Sequence, residues 1–144
     1  TSVEVISDGI HIHPAVLDLI FRSKPSSKVI LISDSLPLNQ AEQDSMIFGG
    51  YKIFKNQNKA VNEHGVIAGS LTFIDSAIRN LIKWGICSFS DCINFASRNP
   101  AQNLGSTNSG FISSGKTADI VIWDHKQNYK IKYTIINGEI AYSS

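Results

Sequence analysis

Residues 29–34 read Val-Ile-Leu-Ile-Ser-Asp: four apolar residues without a break, then two polar ones, the second acidic. A strand with one wet face alternates apolar and polar side chains. An unbroken run instead predicts a strand covered on both faces, as in a parallel sheet. Parallel neighbours need a crossover connection, and the preceding residues supply one. Val3-Glu4-Val5-Ile6 reads as a first strand, ended by the turn signal Ser7-Asp8-Gly9. Pro14 suits a first helical turn, and Val16, Leu17, Ile20 and Phe21 follow at helical spacing until Lys24-Pro25-Ser26-Ser27 stops the helix. Strand, helix, strand is one unit of an α/β fold.

The pattern then changes. Met46 to Asn62 holds short β-like pieces around Gly49-Gly50 and Asn56-Gln57-Asn58. Thr72-Phe-Ile-Asp75 resembles a capping box and predicts a helix burying Ile74, Ala77, Ile78, Leu81 and Ile82, with its end near Gly85. Ser88 and Asp91 open another helix with Phe89, Cys92, Ile93, Phe95 and Ala96 inward, and Pro100 sets up a last short turn ending at Leu104-Gly105. Residues 106–118 read as loop. Strands are expected at Asp119–Trp123, Lys130–Ile136 and Glu139–Tyr142, the last two joined at the hairpin signal Asn137-Gly138. Two parallel strands alone leave edges and faces uncovered, so the start of the chain is expected to be the end of a larger barrel. Thr1 is not an initiator Met, and the expectation is that the chain begins inside a longer product or after processing.

A chain of 144 residues, 42% hydrophobic, can form one ordinary core. Its net charge of +1 provides no global field for nucleic acid or an anionic membrane. No apolar run approaches the ~20 residues that span a bilayer, and no signal peptide is evident. Cys87 and Cys92 read as two half-buried reduced thiols of a cytoplasmic protein.

The chemistry should lie at the strand ends, where α/β barrels place catalytic side chains. Asp34 follows a buried strand directly, and a charge there must be paired or solvated. It also suits the cap of a following loop, and the residues alone leave both readings open. Asp8-Gly9 is a turn, with His11 and His13 just beyond. His64 and His125 stand alone in polar loops and read as surface residues. Gly110-Phe-Ile-Ser-Ser-Gly115-Lys116-Thr117 satisfies the P-loop pattern literally. That motif works between a strand and a helix. Here a strand is expected to follow, so a turn before a β-domain is the better reading.

Asp8-Gly-Ile-His-Ile-His-Pro14 resembles the DG-x-H-x-HP segment of N-acetylglucosamine-6-phosphate deacetylases, and Leu31-Ile-Ser-Asp-Ser35 their LV-T/S-DA segment. Gly65-Val-Ile-Ala-Gly-Ser-Leu-Thr72 resembles their G-x-LAGS-x-LT stretch, with one residue fewer between Gly69 and Leu71. Arg98-Asn-Pro-Ala101 and the segment Gly110–Asp119 resemble stretches shared by many amidohydrolases. The resemblance runs over nearly the whole chain, in the family's order.

It implies an α/β chain made of the last strands and helices of a metal-dependent hydrolase (β/α) barrel plus strands of a small β-sandwich domain. The expected parts are barrel strands and helix at 1–45, a β-rich excursion with a substrate loop at 46–69, terminal barrel helices at 70–105 and sandwich strands at 106–144. The implied reaction hydrolyses the acetamide of N-acetylglucosamine 6-phosphate to glucosamine 6-phosphate and acetate. By position, Asp34 matches the catalytic acid–base, which takes a proton from metal-bound water and gives it to the leaving amine. His11 matches a histidine that contacts the sugar phosphate, with Asp8, Gly9 and Ile10 lining the same pocket. Ile67, Ala68 and Gly69 match a loop that reaches the substrate through main-chain groups. A divalent metal, zinc or iron, is implied, with its main ligands, a Glu and two His, on strands that would precede this chain. The chain alone is therefore expected to be inactive. A homo-oligomeric cytoplasmic parent acting on an amino-sugar phosphate completes the expectation. Another amidohydrolase, or a non-catalytic remnant or assembly module, is the alternative.

Overall fold

The structure, a computed structural model, describes all 144 residues. Strands β1 (Val3–Ile6) and β2 (Val29–Ile32) pair in parallel, Val3 with Val29 through Ile6 with Ile32. Helix α1 (Pro14–Ser23) makes the crossover. The ring of His13 caps it, Nδ1 accepting the Ala15 N–H at 3.2 Å. The helix ends at Lys24, which turns extended because the ring of Pro25 excludes the helical region for the residue before it.

Val5, Val29 and Leu31 meet Leu17 of α1, Ile78 and Leu81 of α2 (Ile74–Lys83), and Cys92 and Phe95 of the next helical stretch. Each is at most 4% exposed. A fully buried aliphatic side chain of this size contributes about 1.5–3 kcal/mol. This one patch therefore outweighs any single polar contact in holding the helices to the strands.

Helix α2 does not begin with the capping box that its sequence suggests. Phe73 occupies the N-cap position without a side-chain bond. The Thr72 N–H donates to Ser70 Oγ at 2.9 Å, and Asp75 turns forward to Arg79 at 2.6 Å. Both partners of the expected box are engaged elsewhere.

The following helix does start at Ser88, whose Oγ accepts the Asp91 N–H at 3.1 Å. It runs as α3 (Phe89–Ile93), a π-helical turn (Asn94–Arg98) and α4 (Asn99–Asn103). Pro100 therefore does not open a separate turn, as its sequence context suggested. Its missing N–H and bulky ring are accommodated by widening the helix just before it, where the Asn99 N–H reaches back to the Asn94 carbonyl.

Two antiparallel sheets complete the chain. Strands β3 (Ser45–Phe48), β4 (Tyr51–Asn56), β5 (Lys59–Asn62) and β6 (Ile67–Ser70) lie in sequence order over a small core of Leu38, Ile53 and Ala60. Strands β7 (Ile120–Asp124), β8 (Lys130–Ile136) and β9 (Glu139–Ser143) form a meander. Asn137 (φ 51°) and Gly138 (φ 85°) supply the two positive φ angles of the hairpin between β8 and β9. Phe89 stacks on Tyr129 at 4.7 Å and meets the edge of Trp123 at 5.6 Å, joining this meander to the helices. No helix is long and apolar enough to cross a membrane.

Asn99 is buried, and its Nδ2 donates to the carbonyls of Ser26 at 2.7 Å and Val29 at 2.6 Å. It stitches the helix to the entry of β2. Asn99→Ala removes both bonds and takes this donor from the buried Val29 carbonyl, and is expected to destabilise the chain by about 1–3 kcal/mol. A lower urea midpoint at unchanged slope is the expected readout; an unaltered midpoint would show that the stitch contributes nothing.

Candidate functional site

The register of β1 and β2 decides which residues share an end. Ile6 faces Ile32 in the last pair, so Asp8 and Asp34 each lie two residues beyond it, at the same C-terminal end of the ribbon.

After β1 the chain turns sharply at Gly9 (φ 77°). A Cβ there would lie 3.0 Å from the Trp84 ring, so the turn rests directly on the end of α2. One turn earlier on that helix, Asn80 Nδ2 donates to the Ser7 carbonyl at 3.0 Å. The Asp8 carboxylate folds back into the turn. Its Oδ1 accepts the N–H groups of Ile10 at 2.9 Å and His11 at 3.0 Å, and its Oδ2 lies 2.7 Å from His11 Nδ1. The Asp8 side chain is fully buried, while that of His11 is 18% exposed. Burial pushes the Asp8 carboxyl up, but the Ile10 amide, the His11 ring and the His11 amide outweigh it and hold it below its ordinary value. A depressed carboxyl contributes stability above its unfolded pKa of about 4 and loses it as pH falls through the folded value.

After β2 the side chain of Asp34 is exposed, and its backbone is left-handed at φ 47°. That conformation is uncommon outside glycine, though Asp tolerates it better than most. Strand β6 holds it in place. The Ser70 N–H donates to the Asp34 carbonyl at 2.9 Å, the Leu36 N–H donates to the Ser70 carbonyl at 3.1 Å, and Ser35 pairs with Ser70 in a parallel bridge. Gly69 permits this approach: a Cβ there would stand 2.8 Å from Leu36 Cγ and 3.1 Å from the Asp34 carbonyl oxygen. Within β6, Ala60 pairs with Gly69 but Val61 with Ile67, so Ala68 bulges out unpaired. Ile67 and Ala68 are exposed and Gly69 is buried. With Gly69 packed against the Asp34 carbonyl, the segment after β2 and the Gly65–Thr72 stretch meet here.

Three contributors escaped the sequence reading: Ser70, Asn80 and Trp84. Ser70 was visible only as part of a motif, and nothing in the sequence assigns Asn80 or Trp84 to a turn some seventy residues away.

His13 caps α1, His64 lies exposed 3.6 Å from Glu63, and His125 is exposed in the turn after β7. No three His, Cys, Asp or Glu side chains converge as a metal site would require. The P-loop-like segment at residues 110–117 is followed by β7 instead of a helix. The Lys116 ammonium donates to the Thr107 carbonyl at 2.8 Å and lies over the Phe111 ring.

Residues 1–141 match the Amidohydrolase family. The chain is 35% identical over 142 residues to the N-acetylglucosamine-6-phosphate deacetylase of Bacillus subtilis, covering 98% of this chain and 35% of that protein. It is 29% identical to an N-acetylgalactosamine-6-phosphate deacetylase of a Shewanella species, with coverage of 97% and 35%. The crystal structure of N-acetylglucosamine-6-phosphate deacetylase from Thermotoga maritima superposes with a TM-score of 0.90 at 27% identity, over 99% of this chain and 39% of that one. The chain thus spans about a third of the length of these curated relatives. The likeness places β1, α1, β2 and the later helices as the end of a hydrolase barrel.

With no helix after it and its lysine tied into the loop, the segment at residues 110–117 is expected to bind no nucleotide. Calorimetric titration with ATP and magnesium checks this. Tight binding that Lys116→Ala removes would overturn it.

Proposed function

This chain belongs to the amidohydrolase family, and on that premise we propose that it forms the C-terminal part of an enzyme hydrolysing the acetamide of N-acetylglucosamine 6-phosphate to glucosamine 6-phosphate and acetate. One observation carries the reading. Two adjacent parallel strands deliver a free carboxylate, Asp34, and a histidine-bearing turn to the same end of the ribbon. In this reading Asp34 is the catalytic residue: it accepts a proton from the water attacking the acetyl carbon and passes it to the departing amine nitrogen. His11 contacts the phosphate, with Gly9 and Ile10 lining that part of the pocket. The bulge at Ala68, flanked by Ile67 and Gly69, offers main-chain groups to the sugar.

Amidohydrolases are generally metal-dependent. The residues of this chain do not fit a metal by themselves, since no three potential ligands converge. We place the metal, zinc or iron, on ligands in the part of the relatives' length that this chain does not span. The C4-epimeric substrate is the specific competitor, because a relative of similar coverage is named for it. A phosphorylated sugar is retained by membranes, so the proposed reaction belongs in the cytoplasm, a compartment that also suits two free thiols.

The 144-residue chain alone is expected to release no acetate from N-acetylglucosamine 6-phosphate, with or without added divalent metal; metal-dependent turnover by it would refute the placement of the ligands. Asp34 is tested in the full-length enzyme, or in a chimaera where this chain replaces the matching 35% of the Bacillus subtilis protein. Asp34→Asn keeps the shape and removes the basicity, and should cost at least ~10²-fold in turnover. Near-normal turnover would remove Asp34 from the mechanism.

A further inference from the structure

The Asp8 side chain has no solvent-exposed surface, so it cannot itself meet a substrate; its partner His11 can. Both carboxylate oxygens are committed. Oδ1 is held by two backbone amides, which stops the group from swinging, and Oδ2 lies 2.7 Å from Nδ1 of the imidazole. The turn that carries both residues is held from behind by Trp84 and Asn80. We propose that Asp8 is a positioning residue: it fixes His11 with the proton on Nδ1 and leaves Nε2 as the one ring atom available to the phosphate of a sugar-phosphate substrate. The inference rests on the function proposed above.

The chemistry follows from donor and acceptor counts. A carboxylate only accepts hydrogen bonds, so the ring nitrogen facing it must donate. In the neutral ring, Nε2 is then a bare acceptor. A phosphate also only accepts, so the ring meets it as the imidazolium and donates from Nε2. The Asp8 carboxylate behind the ring offsets the second proton's charge. A turn that used Asp8 only to bind its own amides would leave the tautomer of His11 unspecified. That is the difference the test reads.

The first measurement is a long-range proton–nitrogen spectrum of the histidine rings in the 144-residue chain, at a pH where the His11 ring is neutral. The expected result is a protonated Nδ1 and an unprotonated Nε2. The reverse tautomer in the unaltered chain overturns the proposal, and this reading needs no variant to fold. In Asp8→Asn, the amide oxygen can keep the Ile10 and His11 amides while its NH₂ faces the ring. The tautomer should then flip to Nε2–H, and an unchanged tautomer overturns the proposal. The second measurement uses the full-length enzyme or the chimaera with N-acetylglucosamine 6-phosphate and N-acetylglucosamine. In Asp8→Asn the ring still donates from Nε2 but no longer has a carboxylate behind it to hold its positive charge, so the KM of the phosphorylated substrate should rise by ~10-fold or more relative to the other, with a smaller change in kcat. If that ratio moves in His11→Ala but not in Asp8→Asn, positioning by Asp8 is refuted. If it moves in neither, the phosphate contact of the proposed function has failed and the substrate half of this inference falls with it, while the tautomer result still decides what Asp8 does to the ring.

Discussion

The parallel pairing of Val3–Ile6 with Val29–Ile32 is the contact on which the arrangement depends, because its register determines where each strand runs out. A shift of one residue would offset the two strand ends, and with them the turn that carries Asp8 and the loop that carries Asp34. That register is held less by its few hydrogen bonds than by what lies on one face. Val5, Val29 and Leu31 are buried against Leu17, Ile78, Leu81, Cys92 and Phe95, and a slip would pull these side chains out of their packed positions.

Each strand end is then braced by a segment distant in sequence. Helix α2 reaches the turn after β1 through Asn80 and Trp84, and strand β6 reaches the loop after β2 through Ser70 and Gly69. The braces differ in kind. The first leaves Asp8 buried and saturated with hydrogen bonds, a rigid support for the histidine in front of it. The second fixes only the backbone of Asp34 and leaves its side chain exposed. The difference agrees with the roles proposed above: a carboxylate that accepts and releases a proton benefits from a fixed backbone and a free head, whereas one that orients a neighbour benefits from having no freedom.

Much of this was legible in the sequence where local chemistry decides. The unbroken run at residues 29–32, Pro14 at a helix start, Ser88 at another and Asn137-Gly138 at a hairpin all lie where their conformational preferences put them. Two segments depart from their local signals, for different reasons. Thr72 looked like a cap because its spacing to Asp75 is right, but Ser70 and Arg79 compete for the two partners. Pro100 looked like a boundary because proline breaks an ideal helix, yet the chain widens to a π turn and continues. There Asn99 gains two carbonyl partners, Ser26 and the buried Val29, that only the packed strand and its entry can offer. In the first case neighbours two and four residues away took the capping partners; in the second, partners some seventy residues away favoured a continuous helix.

The sequence by itself determined the α/β start, the order of the elements and, through its motifs, the family, and it marked Asp34 and His11 as candidates. These follow from hydrophobic period, turn chemistry and the one-dimensional order of short segments, all of which survive without a third dimension. Only the tertiary structure decided how those residues are held. That Asp8 is sealed and bonded to His11, that Gly69 must lack a side chain because Leu36 and the Asp34 carbonyl occupy its space, and that Trp84 lies under Gly9 depend on segments up to some seventy-five residues apart meeting at hydrogen-bond and van der Waals range. No local propensity encodes such meetings. They arise when the core around Leu17, Ile78 and Leu81 closes and fixes which backbones lie side by side.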